Sequence, residues 1–304
     1  MERVSVRVPA TTANLGPGFD CLGMALDIWN EVTIAVAQKS RVRVTGQGAG
    51  QLSTGPGNLV YRTAARYYTE RGRAMPALSI ACHNEIPLAR GLGSSAAAIV
   101  GGLVAAAALA GDPPDDPERL LPLAIALEGH PDNVTPALFG GCQIVVAEGD
   151  QWVRAAVPLP ADLHAVLFIP DTQLPTVEAR AVLPDEVSRE AAVYNAGRVA
   201  LLVSALATGK VELLRWATQD RLHQPARERL FPAMRHLFRA AMDGGALGAF
   251  LSGAGPTVLA LTQGREVTVA YEMAEAARRF GVSGTVKVTQ PTARGATVVR
   301  GRSQ

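Results

Sequence analysis

The sequence predicts an α+β fold in two domains, and three observations support this. Strand-like and helix-like segments follow one another without the regular alternation that a doubly wound sheet requires. The 304 residues are more than one hydrophobic core usually organises. Pro158 and Pro160 lie between two strand-like runs. We therefore expect an N-terminal domain over residues 1–157 and a C-terminal domain over residues 158–304.

Composition and charge indicate a globular protein and argue against several other classes. Apolar residues make up 48% of the chain, charged residues 18%, and the net charge is only +2, so no nucleic-acid partner is expected. The longest apolar stretch, residues 99–110, is too short to span a bilayer, so no membrane partner is expected. Three cysteines without CxxC spacing favour neither a disulfide framework nor a zinc site, and we expect a soluble protein of the reducing cytoplasm.

In the first half of the chain, strands are predicted where apolar and polar residues alternate, and helices where apolar residues recur every three or four positions. A turn-rich stretch is expected over residues 10–23. Strands are expected over residues 3–9, 27–37, 41–45, 77–86, 140–146 and 152–157. Helices are expected over residues 58–71, 95–110 and 120–128.

The second half of the chain shows the same two patterns in a different order. Strands are expected over residues 165–170, 249–251, 257–261, 284–288 and 296–299. Helices are expected over residues 189–208, 211–219, 233–241 and 267–280. A Gly-rich turn over residues 252–256 separates two of the strands.

The most informative segment is residues 87–97, which read PLARGLGSSAA between a predicted strand and a predicted helix. Glycines allow positive φ angles and a close approach of the backbone to a ligand. The unpaired amides and the dipole of a helix N-terminus favour an anion, and serine hydroxyls can bond phosphate oxygens or a metal. The string is neither GxxxxGK[ST] nor GxGxxG followed by an acidic residue. It predicts a phosphate-binding loop of another kind.

Three glycine-rich strings together resemble the motifs of the GHMP kinases, which include galactokinase, homoserine kinase, mevalonate kinase and phosphomevalonate kinase. They are residues 9–20 (PATTANLGPGFD), residues 87–97 and residues 248–257 (GAFLSGAGPT), in the family's order and spread over almost the whole chain. The resemblance implies an N-terminal α+β domain, a ferredoxin-like C-terminal domain, and ATP with Mg²⁺ in the cleft between them. It also implies a homodimer.

The resemblance assigns residues to both cofactors. It places Asn58 near the adenine, and it gives Mg²⁺ the ligands Ser95 and Glu128. Only Gly129 separates Glu128 from His130, whereas many homoserine kinases have several more residues there. The predicted phosphate loop consists of Pro87, Leu88, Ala89, Arg90, Gly91, Leu92, Gly93, Ser94, Ser95, Ala96 and Ala97.

Within the family, the first string resembles the homoserine kinases in particular. The amide of Asn14 and the carboxylate of Asp20 suit the ammonium and hydroxyl groups of a small amino acid. Guanidinium groups suit its carboxylate through planar, bidentate donors. The expected partner is therefore a small-molecule substrate, L-homoserine. The resemblance places around it the side chains of His130, Asn133, Thr176, Arg180 and Arg227.

The expected reaction is transfer of the γ-phosphoryl group of ATP to the substrate hydroxyl. The predicted catalytic residues are Asp20, His130 and Asn133. Asn133 stands where mevalonate and galactose kinases have an aspartate, and an amide accepts no proton at neutral pH. Either Asp20 or His130 assists the hydroxyl, or the proton passes to the phosphate while Asp20 orients the hydroxyl.

Two alternatives use the same fold. Another GHMP enzyme (mevalonate, phosphomevalonate or shikimate kinase, or diphosphomevalonate decarboxylase) would act on an acceptor without an amine. A non-catalytic ligand sensor would keep the glycines and be expected to lose the metal ligands, yet Ser95 and Glu128 are both present.

Overall fold

Two β-sheets, each covered by helices, make up the computed structural model, which describes residues 2–113 and 116–299. The first sheet contains β1 (Arg3–Asn14), β2 (Gly18–Val36), β3 (Arg41–Gly46), β4 (Leu78–Asn84), β5 (Cys142–Glu148), β6 (Gln151–Val157) and β11 (Thr297–Val299). The second sheet contains β7 (His164–Pro170), β8 (Gly248–Leu251), β9 (Val258–Thr262) and β10 (Gly284–Thr289).

The helices divide between the two sheets. Those of the N-terminal half are α1 (Leu59–Glu70), α2 (Ser94–Leu109), α3 (Pro117–Glu128) and α4 (Pro131–Phe139). Those of the C-terminal half are α5 (Thr176–Ala181), α6 (Arg189–Thr208), α7 (Leu214–Ala217), α8 (Gln224–Arg227), α9 (Met234–Asp243) and α10 (Glu266–Arg279), with a 3₁₀ turn at Val211–Leu213.

Helix α2 lies at the centre of the N-terminal core because it is apolar on every side. It packs against β1, β2, α1, α3 and α4. Two glycines in its middle allow this close packing. A Cβ atom at Gly101 would lie 2.9 Å from Cγ2 of Val32 in β2, and one at Gly102 would lie 3.1 Å from Cβ of Thr63 in α1. The helix N-terminus is thereby held at a fixed depth above the first sheet.

The second sheet has the ferredoxin-like arrangement that the resemblance implies. Its strand order is β10-β7-β9-β8, with antiparallel pairing throughout. The chain passes from β7 through helices to β8 and β9, and then through α10 to β10, which is the βαββαβ order. Helices α9 and α10 pack on this sheet around a second apolar core that includes Phe168, Leu237 and Met273. The predicted α+β class and two-part architecture are confirmed.

Three expectations about elements were wrong. Residues 10–23, expected to be turns, mostly extend β1 and β2 into a long hairpin with buried residues on both strands, and only residues 15–17 turn. The helix expected over residues 211–219 is broken into the 3₁₀ turn and α7. The short helices α5 and α8 were not predicted at all, because four to six residues carry too little periodicity.

The predicted domain limit falls between β6 and β7, which lie in different sheets. However, β11 returns to the first sheet, where Thr297, Val298 and Val299 pair with Arg7, Val6 and Ser5 of β1. The C-terminal half therefore contributes a strand to the N-terminal sheet. The limit at residues 157 and 158 stays a prediction, and residues 1, 114, 115 and 300–304 of the predicted domains lie outside the described residues.

Candidate active site

The three glycine-rich strings meet at one place, between the ends of the two sheets. Ser252 Oγ lies 2.6 Å from the Gly91 carbonyl oxygen and 2.8 Å from Thr12 Oγ1. Since a hydroxyl has one proton, Ser252 donates to the carbonyl and accepts from Thr12. The Gly253 amide also donates to the Ala13 carbonyl at 3.1 Å. The third string, in the C-terminal half, is therefore hydrogen-bonded to both of the strings in the N-terminal half.

The predicted phosphate loop lies at the N-terminus of α2. Gly93 is the N-cap, with a left-handed φ of 68°, and no side chain caps the helix. The first amides of α2 are thus left for another acceptor. A Cβ atom at Gly91 would collide with the Ser252 carbonyl oxygen, and one at Gly93 with Thr11 Oγ1. The glycines are needed for packing between the strings as well as for a ligand.

Two adjoining cavities flank this loop. The smaller, of about 100 Å³, is lined by the loop and by polar side chains of both halves, namely Asn14, Asp20, Glu128, His130, Asp132, Asn133, Thr176, Arg180 and Arg227. The larger, of about 520 Å³, is lined by Val32, Leu52, Leu59, Val60, Leu88, Ala98 and several polar residues. Ser94, Ser95, Ala89 and Thr176 belong to both. A polar chamber and a more apolar chamber therefore share the phosphate loop as their common wall.

The residues of the predicted loop differ in their roles, and Arg90 lines the smaller cavity while bonding to the protein. Arg90 donates to the carbonyl oxygens of Pro170 at 2.7 Å and Leu88 at 2.8 Å, so its guanidinium braces the loop against the end of β7. The Ala97 amide donates to the Gly93 carbonyl, and the side chains of Ala96 and Ala97 are buried in the core. Pro87 lines neither cavity and has no amide proton. Pro87, Ala96 and Ala97 therefore lie away from both cavities, and nucleotide contact by the loop as a whole stays a prediction.

Asn58 lines the larger cavity, but its side chain is already engaged. Its Oδ1 accepts a hydrogen bond from the Val60 amide at 3.0 Å, and its Nδ2 donates to the Ser53 carbonyl at 2.9 Å. It is the N-cap of α1. Asn58 therefore fixes the cavity wall, and one amide proton and one carbonyl lone pair of its side chain are left for a ligand.

Ser95 and Glu128 are in direct contact. Ser95 Oγ donates to Glu128 Oε2 at 2.7 Å. Burial raises the pKa of Glu128 above its usual value, although the Ser95 hydrogen bond and the charge of His130 oppose this. A hydroxyl and a partly buried carboxylate side by side are hard oxygen ligands, and a cation there would relieve the burial penalty.

His130 lies between two carboxylates. Its Nδ1 is 2.7 Å from Asp132 Oδ1, and its Nε2 is 3.8 Å from Glu128 Oε1. Burial alone would lower the pKa of His130, but the hydrogen bond and charge of Asp132 and the charge of Glu128 outweigh it, so the pKa is raised. The imidazole is thereby held towards its protonated form at the floor of the polar chamber.

Asp20 and Arg180 form a two-bond ion pair across the polar chamber. Arg180 Nη2 donates to Asp20 Oδ1 at 2.6 Å and Nη1 donates to Oδ2 at 3.0 Å. Both side chains remain about one-third exposed, at 34% for Asp20 and 37% for Arg180. Asp20 has a left-handed φ of 56°, and its amide donates to Asn14 Oδ1 at 3.0 Å. A strained backbone therefore presents this carboxylate to the chamber.

Arg227 is almost wholly buried, with 2% of its surface exposed. Its Nε donates to the Ala179 carbonyl, and its Nη1 donates to the Gly253 carbonyl and to Nδ1 of His223. Burial lowers the pKa of His223 to about 4, so it is neutral and donates through Nε2 to the Gly16 carbonyl. Burial also lowers the pKa of Arg227, to about 10, which leaves it charged at neutral pH.

Comparison with known proteins agrees with this geometry. The family model of the GHMP kinases N terminal domain matches residues 58–141, and that of the GHMP kinases C terminal matches residues 202–284. The homoserine kinase of Moorella thermoacetica is 47% identical over 97% of this chain and 99% of its own length. The homoserine kinase of Synechocystis is 45% identical over 99% of both. The chain belongs to the homoserine kinase family.

A solved structure supports the same assignment. The crystal structure of homoserine kinase from Cytophaga hutchinsonii has a TM-score of 0.88 and 32% identity, and the match covers 98% of both chains. Solved structures of lower sequence identity include Streptococcus pneumoniae phosphomevalonate kinase, with a TM-score of 0.72 and 17% identity. The second comparison shows only that the fold is shared.

For this homoserine kinase family member, sequence reasoning missed one side chain of the chamber, and the structure adds contacts for two predicted ones. Asp132 is buried, and its carboxylate is hydrogen-bonded to His130. Its position two residues after His130 in the sequence could have indicated this contact. Asn14 Nδ2 donates to the Gly253 carbonyl, and Asn133 Oδ1 accepts from Thr11 Oγ1 at 2.8 Å. Both amides connect the strings, besides lining the chamber.

We predict that Gly93→Ala will destabilise the protein and weaken nucleotide binding. Left-handed backbone costs a non-glycine residue about 1–2 kcal/mol. At Gly93 the collision with Thr11 adds to this cost and shifts the loop. Gly111→Ala is the matched control, because Gly111 also has a positive φ but no atom within 4 Å of the added Cβ. Urea unfolding would measure the free energy of unfolding, and ATP titration would measure nucleotide affinity. Equal losses of stability and affinity in the two variants would contradict the packing argument.

We also predict that Asp132→Asn will lower the pKa of His130 below its usual value, because burial then acts with less opposition. The measurement is an NMR pH titration of the histidine Cε1 resonances, with His130→Gln assigning the signal. In the wild type, the raised pKa contributes stability that is fully present below the unfolded-state pKa. This contribution is lost as the pH rises through the folded-state pKa. A wild-type His130 that titrates below the usual value would refute the arrangement.

Proposed function

We propose that this protein transfers the γ-phosphoryl group of ATP to the side-chain hydroxyl of L-homoserine, forming O-phospho-L-homoserine, a step of threonine biosynthesis. The observation that carries the proposal is the Asp20–Arg180 ion pair at the chamber that shares the phosphate loop. A carboxylate and a guanidinium facing one small chamber are the two groups that recognise a zwitterionic amino acid.

The nucleotide is expected to span the two cavities. Its base fits the larger one, whose size lies in the range of small-ligand pockets and whose wall is largely apolar. Its phosphates fit the amides at the start of α2, where the helix dipole favours negative charge. The γ-phosphoryl group would then point into the polar chamber, towards His130 and Asp20.

The donor set fits Mg²⁺ as the accompanying cation. Mg²⁺ typically takes one or two protein oxygens and completes its shell with water and substrate phosphates, so Ser95 and Glu128 suffice. When bound, the ion would neutralise charge on the β- and γ-phosphate oxygens. In the described part of the chain no group of three His, Cys, Asp or Glu side chains could hold a metal alone, in keeping with a site completed by substrate.

The acceptor substrate would exchange the internal ion pair for two pairs of its own. Its ammonium group takes Asp20, and its carboxylate takes Arg180 and the buried, charged Arg227. Thr176 opens α5 at the junction of the two cavities and can contact the substrate there. The ring of Phe19 helps to position both guanidinium groups, because its centre lies 5.6 Å from that of Arg180 and 5.5 Å from that of Arg227.

Neither Asn133 nor His130 is well suited to take the hydroxyl proton, and Asp20 is expected to hold the substrate ammonium group. The amide of Asn133 already bonds Thr11 and Asp132. His130 is held towards its protonated form by the two carboxylates beside it. We therefore favour transfer of the proton to the phosphate, with Asp20 orienting the substrate and His130 supplying positive charge near the transferred group.

Dimerisation and a cytoplasmic location also remain parts of the proposal. Helix α6 is long and apolar enough to cross a membrane, although helices of soluble proteins can have the same length and composition. Only 22% of its most apolar segment is buried. Its exposed apolar side supports a contact between two copies.

The buried cysteines are compatible with a reducing compartment. Burial raises the pKa of Cys82 to about 11 and of Cys142 to about 12, so both thiols stay protonated and unreactive.

We expect L-homoserine to be the preferred acceptor in an ADP-release assay with Mg²⁺ and ATP. The panel also holds L-serine, L-threonine, mevalonate, phosphomevalonate and shikimate. The last three lack an amine and leave Asp20 without a partner. Preference for mevalonate or shikimate would retain the phosphate loop but reject this acceptor site. Binding of ATP without turnover on any acceptor would favour the sensor alternative.

We further predict that the acceptor must carry both charges. 4-Hydroxybutyrate lacks the amine and leaves Asp20 without a substrate partner, whereas 3-aminopropanol lacks the carboxylate and leaves Arg180 without one. A lost charge-assisted hydrogen bond costs about 1.5–3 kcal/mol, which corresponds to a fall in kcat/KM of about tenfold to a hundredfold. Asp20→Asn should cause a similar fall with L-homoserine and leave the KM for ATP unchanged. The control is Asp150→Asn in the β5–β6 turn, and an Asp20→Asn enzyme of full activity would exclude this role.

A further inference from the structure

A groove of about 630 Å³ lies on the C-terminal half, on the other side of α8 from the polar chamber. We call it the α9 groove. Its floor is formed by Met234, Phe238 and Met242 of α9 with Ala249 of β8. Its rim carries Arg215, Arg221, Arg235 and Arg239. No part of the proposed reaction uses these residues.

The floor of the α9 groove is apolar and adaptable. Met234, Phe238 and Met242 are spaced four residues apart, so they form one stripe along α9. Met234 is buried, whereas Phe238 and Met242 are half-buried and open to the groove. Thioether side chains adjust to ligands of different shape and make favourable contacts with aromatic rings. The floor therefore suits the apolar body of a small molecule.

The lining of the groove has four arginines against two carboxylates, Asp220 and Glu228, so positive charge exceeds negative charge there. Asp220 is occupied by the amides of Leu222, His223 and Gln224. Arg221 pairs with Glu190, and Arg235 pairs with Glu228, each at 2.6 Å. Arg215 and Arg239 form no ion pair within residues 2–113 and 116–299. Two guanidinium groups beside an apolar floor complement an anion, and the volume lies within the range of small-ligand pockets. We propose that the α9 groove binds a small organic anion, namely an acidic head group carried on an apolar body.

The α9 groove is connected to the candidate active site through α8. Gln224 and Glu228 line the groove, whereas Arg227 lines the polar chamber and His223 bonds the Gly16 carbonyl beside it. The Gln224 side chain also accepts a hydrogen bond from the Leu251 amide, next to Ser252. A ligand that displaces α8 would therefore move Arg227. If the chain has the proposed function, this coupling should alter the KM for L-homoserine more than the KM for ATP; this expectation rests on that function.

The binding test uses the full-length protein without ATP or acceptor, so its result does not depend on the proposed function. Calorimetric titration would compare 3-phenylpropionate and phenyl phosphate with the uncharged 3-phenylpropanol and with inorganic phosphate. We expect saturable binding of the two aromatic anions and much weaker binding of the other two. In the double variant Arg215→Ala/Arg239→Ala, affinity for the aromatic anions should fall by about tenfold or more, because two charge-assisted contacts are lost.

Arg279→Ala on α10 is the matched control and should bind as the wild type does. Unchanged affinity in the double variant would place the anions elsewhere, including at Arg180 and Arg227, and would overturn the proposal. Absence of binding would overturn it as well. The proposal would also be overturned if light scattering showed a wild-type dimer and a monomeric double variant, because the groove would then be a contact between two copies. Binding with an unaltered KM for L-homoserine would refute only the coupling through α8.

Discussion

The hydroxyl of Ser252 is the contact on which the candidate site depends most. It joins the third glycine-rich string to the first through Thr12 and to the second through the Gly91 carbonyl, and it is fully buried. The strings come from distant parts of the chain and from both sheets, so no local interaction could bring them together. A buried hydroxyl with both roles satisfied gives the junction one preferred geometry, since a shifted loop would leave polar groups unpaired.

The contacts of this junction give a second reason for the glycines in the strings. Gly91 and Gly93 are restricted by Ser252 and Thr11, so a ligand is not the only reason for glycine there. All non-glycine residues with positive φ in the described ranges (Asn14, Leu15, Asp20 and Ala89) lie in the first two strings. Strain of this kind persists only where surrounding contacts determine the backbone. Here those contacts are made between the strings themselves.

Much of the fold could be predicted from the sequence, because α1 and α10 are long and periodic, α2 and α6 are long and rich in helix-forming residues, and several strands alternate clearly. The short helices α5 and α8 could not, although they position Arg180 and Arg227. They are held by tertiary contacts, such as those of Arg227 with Ala179 and Gly253. Similarly, the motifs pointed to Asp20 and Arg180 one by one, but 160 positions separate them, and only the structure pairs them.

The charges of the polar chamber explain why a zwitterion is the expected acceptor substrate. Asp20, Glu128 and Asp132 face Arg180, Arg227 and a His130 that is held towards its protonated form, so the chamber is close to neutral before any ligand enters. A zwitterionic amino acid adds no net charge and replaces one ion pair with two. An acceptor with a carboxylate but no amine would satisfy Arg180 and leave Asp20 partly buried beside added negative charge. In a small, partly desolvated chamber that imbalance is costly, and it disfavours mevalonate-like acceptors even though they share the phosphate-binding machinery.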